Sequence, residues 1–183
     1  CSARRIVDMV REDLKPSDVL VRKAFENAIK VNAAIGGSTN FVIHLLAVSG
    51  RVGIDLTIDD FDKYSAGIPL IANLQPSGEH FMEDLYYAGG LPAVMKEMQS
   101  FLNAECITVN GRNIGQNLER AQTLNQEVIA SVESPFKLDS GVAVLKGNLC
   151  PEGAIIKPSA ANPRLMQHTG RAVVFENTED YKL

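Results

Sequence analysis

The chain has 183 residues, of which 45% are hydrophobic and 22% are charged, a composition typical of a globular protein. Its net charge of −4 gives no basic surface for nucleic acid, and its apolar runs are much shorter than the ~20 residues of a membrane-spanning helix. The first residues, CSARRIVDMVRED, lack the apolar stretch of a secretory signal. We therefore expect a cytoplasmic protein, or an organellar one if a targeting segment lies upstream.

The first third of the chain carries apolar residues at helical spacing. This pattern predicts helices over residues 2–14, 19–31 and 40–49. The first of them ends before Pro16, because the residue preceding a proline disfavours helical geometry. A fourth, shorter helix is predicted to begin after Thr57, which is a good N-cap residue.

The middle of the chain alternates short apolar stretches with helical patterns. Residues 67–74 predict a buried strand, and residues 107–109 predict a second strand followed by an Asn-Gly turn. Helices are predicted over residues 82–88 and 92–102, and residues 114–128 are amphipathic. Such alternation predicts an α/β fold, with helices around a mainly parallel sheet.

The pattern changes after residue 135. Short apolar strands separated by glycine and proline are predicted over 142–145, 154–157 and 171–175. These strands are too few to close a sheet by themselves. We therefore expect residues 1–135 to be the C-terminal part of an α/β domain, residues 136–183 to begin an all-β domain, and the chain to be an internal portion of a longer protein.

The stretch AAIGGSTNFVIHLL, residues 33–46, places a glycine pair and three polar residues between two helical patterns. Glycine permits a tight turn or a close backbone approach, and Ser38, Thr39 and Asn40 are each able to cap the helix that follows. The second interpretation is a polar pocket lining, since the free N–H groups of a helix N-terminus favour an anionic ligand. Spacing alone leaves both interpretations open.

Four further side chains invite a functional interpretation. His44 lies in an apolar run and is predicted to be a core residue. Adjacent positions on a helix do not face each other, so Glu83 and Asp84 are predicted to be solvated or capping residues rather than an acid–base pair. Lys157 follows an apolar strand; we predict a surface lysine, with contact to an anion as the alternative.

The three cysteines, Cys1, Cys106 and Cys150, are widely separated and odd in number. A disulfide framework is therefore not expected, and no C-x-x-C pair indicates a local metal site. Each is predicted to be a buried or incidental thiol; the alternative is a set of iron–sulfur ligands, which can be distant in sequence, although no local motif supports it.

Four segments, read in order, resemble the dihydroxy-acid/6-phosphogluconate dehydratase family. They are AFENAIKVNAAIGGSTNFVIHLLAV, MEDLYYAGGLPAVMKE, GVAVLKGNLCPEGAIIKPSA and HTGRAVVFENTEDY. The resemblance covers nearly the whole chain. The segments NLQPSGEHFMEDLYYAGGLPAV and IIKPSAANPRLMQHTGRAVVFEN are more similar to the sugar-acid branch (aldonate, arabinonate-dehydratase-like) than to the branched-chain amino-acid branch.

The resemblance implies a hydro-lyase that removes water from a 2,3-dihydroxy acid and leaves a 2-keto acid. It also implies a C-terminal β-barrel, an iron–sulfur cluster acting as Lewis acid on the departing hydroxyl, a Mg²⁺ ion held partly by a carbamylated lysine, a serine base, and a homo-oligomer (dimer or tetramer). Stabilising charge at both ends of the reaction is physically sensible, because hydroxide leaves poorly and the α-proton is weakly acidic.

The sequence departs from that family where the chemistry should lie. The C-D-K segment, the cysteine motif ending in T-A and the D-G/A-R-x-S-G segment of the serine base are absent from these 183 residues. We therefore assign no catalytic residue and no metal ligand, expect neither cofactor to be bound by this chain alone, and keep Ser38, Thr39 and Asn40 as candidate substrate-lining residues. The alternatives are a dihydroxy-acid dehydratase of branched-chain amino-acid synthesis, a truncated non-catalytic paralogue acting as an interaction partner, and a small-molecule binding module.

Overall fold

A computed structural model describes residues 2–182 of the chain. Eight α-helices occur in this part of the chain, several of them a single turn long. In chain order, α1 to α8 are Ser2–Arg11, Pro16–Val19, Arg22–Ala34, Asn40–Arg51, Ile58–Ser65, Met82–Tyr87, Gly90–Glu97 and Ile114–Asn117. The helices predicted over 2–14, 40–49 and 82–88 are confirmed, and so is the one after Thr57, whose N-cap residue is Thr57.

The central core forms around an extended segment, residues 68–74. Ile71 is fully buried there, together with side chains from α3, α7 and the segment 128–129. The backbone of the extended segment bonds to several neighbours: Ile71 N donates to Ala34 O (2.9 Å) and Ala130 N donates to Ile71 O (2.8 Å). These bonds satisfy backbone groups that burial would otherwise leave unpaired.

A second core lies between α3, α4 and α5. Phe61 of α5 has no exposed surface and meets the ring of Phe41 edge-on, with centroids 6.3 Å apart. Phe25, Ile29 and Val142 are also buried in this cluster. The helices of the first third of the chain therefore pack against a residue from the predicted all-β part.

The prediction of a mainly parallel sheet is wrong for the described residues. Their one sheet has two short antiparallel strands, β1 (Ala143–Leu145) and β2 (Ala154–Ile156), with Val144 opposite Ile155. A short connection joins consecutive strands as a hairpin, whereas parallel pairing needs a long crossover. The segment 68–74 makes only isolated bridges, of which the two with the later residues Ile129 and Lys137 are antiparallel.

Two other predicted segments form less regular secondary structure than their sequence patterns indicate. Only the first four residues of 114–128 are helical. The rest of that segment bonds to distant backbone: Leu124 N donates to Ala88 O and Asn73 N donates to Val128 O. The strand predicted over 171–175 is not formed in the described part of the chain, because nothing there pairs with it.

The division of the chain near residue 135 stays a prediction. Ser140 Oγ donates to Ala33 O (2.7 Å), so residues just beyond 135 are bonded to α3. Beyond β2, the described residues form only short 3₁₀ turns, at Pro158–Ala160, Pro163–Leu165 and Asp180–Lys182. A search of the described residues finds no helix with the length and apolar character that crossing a membrane requires.

Candidate functional site

The glycine pair ends α3 and turns the chain into α4. Gly36 has φ +61°, a left-handed conformation that residues with a Cβ rarely adopt. A Cβ at Gly37 would lie 2.0 Å from the side-chain Oδ1 of Asn32, so that side chain would have to move. Gly36 N and Gly37 N donate to carbonyls of α3, those of Ala33 (2.9 Å) and Asn32 (2.8 Å). The left-handed conformation therefore favours glycine at position 36 independently of any ligand, whereas a Cβ at position 37 would displace the Asn32 amide.

The three polar residues after the glycines are exposed at the start of α4. Ser38 Oγ accepts hydrogen bonds from the backbone N and the side-chain Nδ2 of Asn40, both at 3.2 Å. Thr39 precedes the helix but makes no side-chain cap bond. Of the three predicted candidates, Ser38 thus caps the helix start, and Asn40 directs its amide toward Ser38.

The turn borders a cavity of about 510 Å³, a volume within the range of small-molecule sites. Its walls come from the end of α3, the turn before α4, the loop after residues 68–74, and the segment after β2. The lining residues are Ile35, Gly36, Gly37, Ser38, Thr39, Leu74, Gln75, Pro76, Met82, Lys157 and Ala160. Two of the three predicted residues, Ser38 and Thr39, line it directly, whereas Asn40 is not among the lining residues.

Lys157 links the segment after β2 to the glycine turn. Its side chain is half-buried, and Nζ donates a hydrogen bond to Gly36 O. The prediction of a surface lysine is therefore wrong. The position of Lys157, directly after an apolar strand and before a proline, is the one sequence feature that places it near packed residues. Nothing in that pattern indicates its partner, which lies 121 residues away.

The described cavity lining carries charge of one sign, which is positive. Among the described lining residues, Lys157 carries the one formal charge. Burial, and then the positive charge of Lys137, lower the pKa of Lys157 from its ordinary value. Both causes disfavour the protonated ammonium. An anion bound beside Lys157 would offset them, because its negative charge stabilises the ammonium form.

The other predicted candidates do not join this site. His44 is exposed on α4, so the prediction of a core histidine is wrong. An apolar run on a short surface helix does not bury every residue, and Val42 takes the core position of this helix. Asp84 Oδ2 accepts from Phe81 N (2.7 Å) at the start of α6, which confirms a capping role.

The side chains that the structure describes do not form a metal centre. Cys106 is buried, with a pKa raised chiefly by desolvation, whereas Cys150 is exposed; Cys1 lies outside the described residues. Within residues 2–182, no group of three histidine, cysteine, aspartate or glutamate side chains is placed to hold an ion. The described residues therefore supply no ligand set for a metal ion or a cluster.

Comparison with known proteins gives two family matches. Residues 1–117 match the model described as dihydroxy-acid/6-phosphogluconate dehydratase N-terminal, and residues 127–183 match the corresponding C-terminal model. Together they cover most of the chain.

Several curated relatives are similar along almost all of the chain. The L-arabinonate dehydratase of Rhizobium leguminosarum bv. trifolii is 51% identical over 183 residues, which is 99% of this chain and 32% of the relative. The L-arabonate dehydratase of Azospirillum brasilense is 49% identical, with the same two shares. The dihydroxy-acid dehydratase of Acetivibrio thermocellus is 44% identical over 96% of this chain and 32% of the relative. The chain thus spans about a third of the length of these relatives.

Proposed function

The chain belongs to the dihydroxy-acid/6-phosphogluconate dehydratase family, and from this premise we propose that it is a portion of a hydro-lyase that dehydrates a 2,3-dihydroxy sugar acid to a 2-keto-3-deoxy acid. The observation that carries the substrate class is the higher identity to the L-arabinonate dehydratase (51%) than to the dihydroxy-acid dehydratase (44%). The named relatives are all dehydratases, which supports the reaction type.

The cavity beside the glycine turn is the proposed substrate-facing part of this chain. Ser38 and Thr39 offer hydroxyl groups there, and Gln75 offers a side-chain amide. A sugar acid has several hydroxyl groups, each of which needs a donor or acceptor when it leaves water. Asn40 supports the site indirectly, because its amide bonds to Ser38 Oγ.

The reacting groups belong, in this proposal, to other parts of the parent protein. The iron–sulfur cluster, Mg²⁺ and serine base implied by the family resemblance have no matching motif among these 183 residues. The isolated chain should therefore have no dehydratase activity. The same proposal includes the β-barrel of the C-terminal domain, a homo-oligomeric parent protein and a cytoplasmic location.

Two observations test the proposal. The coding sequence on either side of this segment is expected to contain C-D-K upstream and the D-G/A-R-x-S-G motif downstream; stop codons or an unrelated domain would instead favour the truncated, non-catalytic paralogue. The purified parent protein is then assayed for 2-keto acid formation from L-arabinonate and from a branched-chain 2,3-dihydroxy acid. Turnover of the branched-chain acid alone would favour the dihydroxy-acid dehydratase instead.

A further inference from the structure

Lys157 lies in the segment after β2, lines the cavity and bonds directly to the glycine turn. We propose that Lys157 binds the carboxylate of the sugar acid and at the same time holds the glycine turn in position through the Gly36 carbonyl. This role rests on the proposed function, and it adds the residue that would recognise the acidic end of the substrate.

The hydrogen-bonding capacity of the ammonium group supports this role. A lysine ammonium has three N–H donors and no acceptor. One donor is used by Gly36 O, and the described residues offer Lys157 no carboxylate within salt-bridge distance. Two donors are therefore left for a ligand in the cavity that Lys157 lines.

Charge supports an anion rather than a neutral ligand. Half-burial of an ammonium without a counter-ion is unfavourable, and Lys137 adds like charge nearby. A carboxylate would offset both effects with a charge-assisted hydrogen bond, which is roughly twice as strong as a neutral one. The hydroxyl-bearing residues Ser38 and Thr39, which line the same cavity, would then meet the hydroxyl groups of the same molecule.

This role is compatible with a metal ion on the same carboxylate in the parent protein. An ionised carboxylate has two oxygens with about four acceptor positions, so one oxygen can accept from a lysine while the other contacts a cation. Lys157 would then bind the acid beside such an ion without replacing it.

The test is a titration of the 183-residue chain, followed by NMR shifts of the backbone amides at Gly36, Gly37 and Ser38. The probes are sodium L-arabinonate and the neutral polyol L-arabinitol, at constant ionic strength. We expect arabinonate to perturb these amides and to bind at least about tenfold more tightly than arabinitol, the scale of one charge-assisted contact. In Lys157→Gln that preference should be lost.

Two further variants separate charge from folding. Lys157→Arg keeps a cation and should retain the preference for arabinonate. Lys96→Gln removes an exposed lysine of α7, whose Nζ bonds to Gln99 Oε1, and should bind like the unchanged chain. The thermal midpoint of each variant shows whether it folds. The preference of the unchanged chain for the acid over the polyol tests the inference even if Lys157→Gln does not fold.

Several outcomes would overturn the inference. These are equal binding of arabinonate and arabinitol, absence of binding to the unchanged chain, or an unaltered preference in Lys157→Gln. None of them bears on the dehydratase proposal, which the assay of the parent protein decides separately. A parent protein that dehydrates arabinonate with the same KM after Lys157→Gln would remove the role of Lys157 and leave the proposed function standing.

Discussion

Two regions of the molecule both contain short apolar runs typical of strands, but only one of them buries its apolar side chains. Residues 2–161, the core region, bury Phe61, Ile71 and Met98 completely. In residues 162–182, the tail, every residue is exposed, including Val174 at 88%. Apolar pattern alone therefore does not determine burial. A strand-like segment is buried only where a neighbouring segment covers its side chains and bonds to its backbone.

The largest expected loss of stability comes from truncating a phenylalanine of the second core, with a phenylalanine of the tail as the matched control. Phe61→Ala should lower the free energy of unfolding by about 3–5 kcal/mol, because the ring fills the second core without exposed surface. Phe175→Ala should lower it by less than about 1 kcal/mol, since the ring is 45% exposed and its recorded ring contact is Tyr181 of the same tail. Urea unfolding of both variants measures the contrast; similar losses would mean that the tail is packed in solution.

The next largest effect concerns Asp60, which precedes Phe61 of the second core in α5. Asp60 Oδ2 accepts from Thr57 N (2.8 Å) at the start of α5, and Oδ1 pairs with Arg22 Nη2 (2.5 Å). Burial raises its pKa, but the bonds from Thr57 and Arg22 together lower the pKa below its ordinary value. Asp60→Ala should cost about 1–3 kcal/mol at neutral pH, from a lost cap and a lost charged hydrogen bond.

The sign of this pH dependence follows from linkage. A carboxylate with a lowered folded pKa stabilises the protein fully above its unfolded pKa, about 3.9, and loses that contribution as the pH falls through the folded pKa. The difference between the unchanged chain and Asp60→Ala should therefore be constant near neutral pH and shrink below about pH 4. Asp59→Ala, next to it and paired with Lys146 at the surface, is the control and should cost less than about 1 kcal/mol.

Local features of the core region are predictable from sequence, whereas the contacts that build the site are not. The helices α1, α4 and α6 follow from apolar spacing within a few residues, and the start of α5 follows from Thr57. The prediction of a parallel sheet fails because the partners of residues 68–74 include Ile129 and Lys137, which lie far along the chain and pair antiparallel, whereas β1 and β2 form a local hairpin. The bond of Lys157 to Gly36 spans 121 residues, so no local pattern contains it.

A smaller effect tests whether the glycine turn belongs to the rigid core region. Gly36→Ala places a Cβ at φ +61° and 3.0 Å from Leu70 Cδ1, and should cost about 1–2 kcal/mol. Gly50→Ala in α4 meets no atom within 4 Å, so it should be neutral or should stabilise the helix by up to about 1 kcal/mol. Thermal unfolding of the pair decides the matter: equal midpoints would mean that the turn adopts another conformation in solution.

The smallest expected effect is removal of the tail itself. A version ending at Ala161 keeps β2, Lys157 and the whole cavity lining. It should change the free energy of unfolding by less than about 0.5 kcal/mol, because residues 162–182 are exposed. A version ending at Ser134 is the contrasting control. It removes Val142 from the second core and Ser140, whose hydroxyl bonds to Ala33 O, so it should unfold at a clearly lower urea concentration.

Removal of the tail should also reduce self-association, because unpaired strand-like segments promote association. Size-exclusion chromatography should therefore show less self-association for the version ending at Ala161 than for the 183-residue chain. An unchanged elution profile, together with a marked loss of stability on removing the tail, would show that the tail is packed against the core region.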